Sequence, residues 1–163
     1  WPDDVIRARL EATQRLLPHG IGRPTPGANL HLTLVFLGNV DAARRACVAD
    51  VCGRIRAATI EIVFDEIRCH ARTGVAWASA RVTPPPLSEL AGRLQTALLP
   101  CQYRPEVRPF RAHVTLARAM RRRVTLALPE PIVWTVQEFC LVASTLSAGG
   151  ARYAVQRCWP LGG

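Results

Sequence analysis

Two short segments of the chain read almost alike: His31-Leu32-Thr33-Leu34 and His113-Val114-Thr115-Leu116. Each alternates polar and apolar residues, the period of a strand with one wet and one buried face. His31 and Thr33 share one face, with Leu30, Leu32 and Leu34 on the other. His113 and Thr115 repeat the arrangement, with Val114 and Leu116 opposite. Any fold for this chain must hold two such strands, 82 residues apart (113 − 31), each offering an imidazole beside a hydroxyl.

The rest of the pattern supplies helices and more strands. Val5, Ile6, Leu10, Leu16 and Leu17 fall at helical spacing behind Asp3 and Asp4, which predicts a helix over 3–17. Pro18 to Gly27 is loop, and Leu30 to Leu37 a strand ended by Gly38-Asn39. Asp41 caps a second helix reaching Ala57. Ile60–Cys69 and Gly74–Val82 read as a hairpin turned at Arg72-Thr73-Gly74, with Val75, Trp77 and Ser79 on one face. Pro84, Pro85 and Pro86 open a third helix over 87–99, closed by Pro100. A loop (101–110), a strand at about 112–118, and strands near 132–144 and 152–159, joined by a turn at Ser147 to Gly150, complete the chain. This mixture predicts an α+β fold with largely antiparallel sheet. A helix ahead of each motif strand points to two related halves.

At 163 residues the chain fits one domain with a sizeable core. No apolar run could span a bilayer and no leader opens the chain, so a soluble, cytoplasmic, non-membrane protein is expected. The net charge is +9 and every basic residue is arginine. That balance favours RNA or nucleotides as partners, although a solvated basic surface is the commoner outcome. The six cysteines, Cys47, Cys52, Cys69, Cys101, Cys140 and Cys158, form no C-x-x-C pair. They are expected to be reduced core residues without metal or disulfide roles.

Splitting a phosphodiester needs a base to activate the nucleophile and an acid to protonate the leaving oxygen. Imidazole titrates near neutrality, so two histidines can hold one protonated and one neutral member. Threonine hydroxyls can donate to the non-bridging oxygens and place phosphorus between the rings. A lone histidine on a strand is more often structural; His19 and His70, in or next to loops with no partner pattern, are read as structural or surface residues, and the repeat sets His31 and His113 apart. Two readings compete with phosphoester cleavage. In one the histidines ligate a catalytic metal, for which no carboxylate stands at a fixed motif position. In the other the cleft only binds RNA.

The segments Leu30 to Gly38 and Phe110 to Arg118 resemble the paired signatures of the 2H phosphoesterase superfamily. The second, with Ala117-Arg118, is similar to the RNA 2′,3′-cyclic phosphodiesterases, or 2′-5′ RNA ligase-like proteins, as are Ser144, Gly150 to Tyr153 and Trp159-Pro160-Leu161. The resemblance implies one bilobal domain over 1–163, with pseudo-twofold halves and a central cleft, here lacking a first N-terminal strand. It implies cofactor-free and metal-free hydrolysis of a 2′,3′-cyclic phosphate to the 2′-phosphate by a monomer. The reverse reaction would be 2′-5′ ligation. His31 would be the acid and His113 the base, with Thr33 and Thr115 on the phosphate. Another cyclic nucleotide or a 2′-5′ oligonucleotide would use the same dyad.

Arg118, alternating with Ala117, is expected on the histidine side as a phosphate or ribose contact. Arg111, two before His113, falls on the same face, with a solvent-exposed role at least as well favoured; Phe36 and Trp77 are expected to pack in the core, and Arg121 to Arg123 to be a solvated run.

Overall fold

Capping explains where the helices begin. The computed structural model describes residues 1–18, 22–70, 72–106, 108–147 and 150–162. Asp3 accepts the Ile6 amide at 2.8 Å and starts α1, Asp4–Gln14, which buries Ile6, Leu10 and Thr13. Asp41 does the same with the Arg44 amide for α2, Ala42–Gly53. Pro85, in the first turn, opens α3, Pro85–Ala97, whose buried stripe is Leu87, Leu90, Ala91 and Leu94.

The strands are β1 (Arg23–Pro24), β2 (Ile60–His70), β3 (Val75–Ser79), β4 (His113–Arg118), β5 (Val124–Val136), β6 (Glu138–Ser147) and β7 (Gly150–Pro160). Five form one sheet in the order β1-β4-β3-β2-β5, and β6 pairs with β7 in another. The resulting α+β architecture, with antiparallel β1–β4, β2–β3, β3–β4 and β6–β7 pairs, is the expected class. Gly74 turns β2 into β3 with φ +62°, a left-handed value that glycine adopts without strain.

The chain packs as two compact units. The first comprises Trp1–Thr33, Glu61–Thr83 and Arg111–Thr135. Its core holds Leu10, Leu30, Ile62, Phe64, Ile67, Ala76, Ala78, Val114 and Leu116, all with no exposed surface. Gln14 ties α1 to this sheet, donating to the Leu116 carbonyl at 2.8 Å and to the Thr25 carbonyl at 2.7 Å. The second unit comprises Leu34–Ile60, Pro84–Phe110 and the chain from Val136. There α2 contacts α3 and β7, and Phe139 stacks on Trp159 at 5.3 Å.

Four expectations fail. The strand foreseen over Leu30 to Leu37 shrinks to one bridge at Leu32, because beyond Thr33 the chain enters the other unit and loses its pairing partner. The strand foreseen near 132–144 is two strands, with only Gln137 between β5 and β6. β5 begins earlier and runs through Pro129 and Pro131, which its edge position tolerates. Arg23 and Pro24, read as loop, pair with Arg118 and Ala117.

The cysteines differ most. Cys47 is bridged to Cys101 and Cys140 to Cys158, with Cα separations of 5.6 and 4.1 Å. Tertiary contact, not sequence spacing, brings each pair together. Cys52 and Cys69 are the buried free thiols expected, and burial pushes the Cys52 thiol up to about 11. No helix of the described residues is long and apolar enough to cross a membrane.

Candidate active site

The bridge between Leu32 and Val114 is antiparallel. Its register sets His31 beside Thr115 and Thr33 beside His113, on the face away from Leu32 and Val114. The two motifs are therefore neighbours in a strand pair, related by the local twofold of an antiparallel bridge. The sheet extends this face. Ser79 pairs with His113 and Trp77 with Thr115; Glu66 pairs with Ser79 and Arg68 with Trp77. Two rows of side chains thus cross the strands: Glu66, Ser79, His113, Thr33, and Arg68, Trp77, Thr115, His31. Val114 and Leu116 anchor the motif from below with no exposed surface.

Both imidazoles are held in the same way. His31 Nδ1 lies 2.7 Å from the Asn29 carbonyl oxygen, and His113 Nδ1 lies 2.8 Å from that of Arg111. A carbonyl can only accept, so Nδ1 carries the proton in each bond. The neutral ring then has its lone pair on Nε2, the nitrogen that can exchange a proton with a ligand. Burial holds the His31 imidazole below its ordinary 6.5. The Asn29 bond opposes that shift, and the charges of His113 and Arg118 add to it. Trp1 stacks on His31 with ring centroids 4.6 Å apart and planes 12° apart, and its Nε1–H donates to the Ala28 carbonyl at 3.0 Å. Trp77 meets His113 edge-on at 6.4 Å.

Arg118 reaches this face by a route that strict alternation does not supply. Counting from His113, position 118 falls with Val114 and Leu116. A bulge intervenes: Trp77 pairs with Thr115, but Ala76 pairs with Ala117, leaving Leu116 extra. Arg118 then pairs with Val75, which shares the face of Trp77. The bulge re-aims the arginine toward the histidines.

Other placements are mixed. Arg111 is exposed, as expected. Phe36 is 68 % exposed rather than core, since the paired backbone that gave it a parity ends before it. Trp77 lies on the histidine face instead of in the core. His70 ends β2, and His19 lies outside the described residues, as do two residues of the Ser147 to Gly150 turn. Trp1, Arg68, Glu66 and Ser79 were not foreseen. Pairing across strands joins Arg68, Glu66 and Ser79 to the motifs, and ring stacking joins Trp1, although the Val75, Trp77, Ser79 face of β3 was legible.

No cluster of three or more metal-capable side chains among the described residues includes either histidine. Glu138, Cys140 and Cys158 do form such a group, but both sulfurs belong to a disulfide.

Comparison with known proteins bears on the family and the fold. The model of the 2′-5′ RNA ligase superfamily matches residues 2–147, which contain both motifs. The chain is 35 % identical over 146 residues to the RNA 2′,3′-cyclic phosphodiesterase of Escherichia coli (strain K12), covering 88 % of this chain and 82 % of that protein. The crystal structure of E. coli LigT complexed with 3′-AMP superimposes with a TM-score of 0.90 at 31 % identity, covering 99 % of this chain and 94 % of that one. A crystal structure of a phosphoesterase gives 0.91 at 31 % identity, covering 98 % and 93 %. The chain belongs to the 2′-5′ RNA ligase superfamily, the 2H phosphoesterases.

Proposed function

We propose that this protein hydrolyses RNA 2′,3′-cyclic phosphates to 2′-phosphates by acid–base catalysis between His31 and His113, with no metal or cofactor. The observation that carries the reading is the antiparallel register that sets each histidine beside the other motif's threonine, with both Nδ1 atoms fixed on carbonyls. His113 Nε2 takes a proton from water as the oxygen bonds to phosphorus. The bond from phosphorus to O3′ breaks, and the Nε2–H of His31 supplies the proton that O3′ needs. The product carries a 2′-phosphate and a 3′-hydroxyl, and the two rings exchange protons with solvent to reset. Thr33 and Thr115 donate to the non-bridging oxygens, and Arg118 offsets the negative charge of the phosphoryl group.

His31 starts below its ordinary basicity because it is buried. The bound phosphodiester anion raises it, which suits a donor that must be protonated only when substrate is present. With a 5′-hydroxyl in place of water, the same steps form a 2′-5′ link: His113 takes the hydroxyl proton as the 5′-oxygen bonds to phosphorus, and O3′ leaves with a proton from His31. We place the protein in the cytoplasm as a monomer; in that reducing compartment the two cysteine bridges would open to thiols. The direct test is incubation with 2′,3′-cyclic and 3′,5′-cyclic nucleotides in excess chelator, with the product phosphate located by phosphorus NMR. Only the 2′,3′-cyclic substrate should turn over, giving a 2′-phosphate. Loss of turnover with chelator, or a 3′-phosphate product, contradicts the reading.

A further inference from the structure

A carboxylate is buried in the row that leads to His113, one strand beyond Ser79, with no step to perform in that reaction. Glu66 is 6 % exposed and Ser79 7 %. Ser79 Oγ donates to Glu66 Oε1 at 3.0 Å, and Arg68 Nε pairs with the same oxygen at 2.7 Å. Leaving a buried charge unpaired costs several kcal/mol, so the carboxylate fixes whatever cation it holds. That cation is half in solvent: the Arg68 side chain is 47 % exposed. A guanidinium carries five N–H donors in a planar fork. Glu66 engages it through Nε, and the fork offers further donors beyond that edge.

The position of Arg68 gives this arrangement its meaning. Arg68 pairs with Trp77 and Trp77 with Thr115, which the bridge sets beside His31. Strands lie about 4.8 Å apart, so the Arg68 backbone is roughly 10 Å across the sheet from that of Thr115. The Arg68 guanidinium is drawn toward Glu66 and Ser79, the row that continues to His113 and Thr33. Trp77, partly exposed, lies between Arg68 and Thr115 as an aromatic surface. An arginine and an aromatic alternating away from a phosphate site form the pattern that tracks a nucleic acid strand.

We propose that Arg68, held by Glu66 and Ser79 with Trp77 beside it, is a second phosphate subsite. It takes the phosphodiester on the 5′ side of the terminal nucleotide. The protein then acts on the ends of oligoribonucleotides in preference to free cyclic mononucleotides. This rests on the phosphodiesterase reading above.

The test compares a dinucleotide ending in a 2′,3′-cyclic phosphate with the corresponding cyclic mononucleotide bearing a 5′-hydroxyl. The wild type should favour the dinucleotide in kcat/KM by about tenfold, the worth of one good charged contact. Arg68→Met should remove most of that ratio through KM and lower the salt dependence of dinucleotide binding by roughly 0.7 in log–log slope. Glu66→Gln, which frees the arginine without deleting it, should lose part of the ratio. Thermal unfolding of both variants separates this from misfolding, and the exposed position of Arg68 keeps that variant informative if Glu66→Gln does not fold. A ratio near one in the wild type, or an unchanged ratio in Arg68→Met, overturns the subsite. Absence of cleavage of either substrate overturns the phosphodiesterase reading instead. Equilibrium binding of a 2′-phosphorylated dinucleotide then still decides the subsite: equal affinity in wild type and Arg68→Met refutes it.

Discussion

At the scale of residues, each histidine is gripped by its neighbours before any substrate arrives. A ring tethered only at Nδ1 could still swing about that bond. Trp1 prevents this for His31 by lying flat on the ring while its own Nε1–H is tied to Ala28. A stacked aromatic pair contributes about 0.5–1.5 kcal/mol, so Trp1→Leu should lower kcat by roughly two- to tenfold with little change in KM. Trp1→Phe should recover most of the loss; steady-state kinetics of the two variants check this, and a KM-only effect would instead make Trp1 a substrate contact. The histidines and threonines were legible in the sequence because a repeated motif needs only local alternation to interpret. Trp1 was not, since nothing in a linear pattern places the first residue against the thirty-first.

At the scale of elements, the bulge in β4 has the largest effect on the site. Leu116 is the extra residue and has no exposed surface, so it both shifts the register and fills the core beneath the motif. Leu116→Ala should cost about 2–5 kcal/mol of stability, read as a lower denaturant midpoint. A loss below 0.5 kcal/mol would mean that the site rests on other contacts. Arg118 shows why alternation alone falls short: a bulge is decided by pairing with β3, which no stretch of β4 announces. The proline-bearing edge strand β5 hid for a related reason, as edge position is a property of the sheet. Disulfides belong here too. Cys47 and Cys101 are 54 residues apart in sequence, a closure worth roughly 4 kcal/mol in the chain-entropy account. Adding reductant should lower the melting temperature measurably, and Cys47→Ser should abolish about half of that response, the rest belonging to Cys140–Cys158; melting insensitive to reductant contradicts the bridges.

At the scale of the whole molecule, the α+β class and the three helices followed from periodicity and capping, while the site depended on long-range register. His31, Thr33, His113, Thr115 and Arg118 all fall in one compact unit, as do Glu66, Arg68, Ser79 and both tryptophans of the histidine face. The net charge of +9 suits a polyanionic substrate but identifies none. The central claim is that two imidazoles divide the proton transfers. It is tested most directly by the pH dependence of kcat/KM for the wild type, His31→Ala and His113→Ala on a 2′,3′-cyclic substrate. The wild type should give a bell, and each variant should lose about 10²–10⁴-fold in rate. His31→Ala, lacking the acid, should lose the alkaline limb. His113→Ala, lacking the base, should lose the acid limb and keep a fall centred below pH 6.5, because burial keeps the free His31 less basic than usual. Full activity in either variant, or a bell that survives either substitution, would contradict the account.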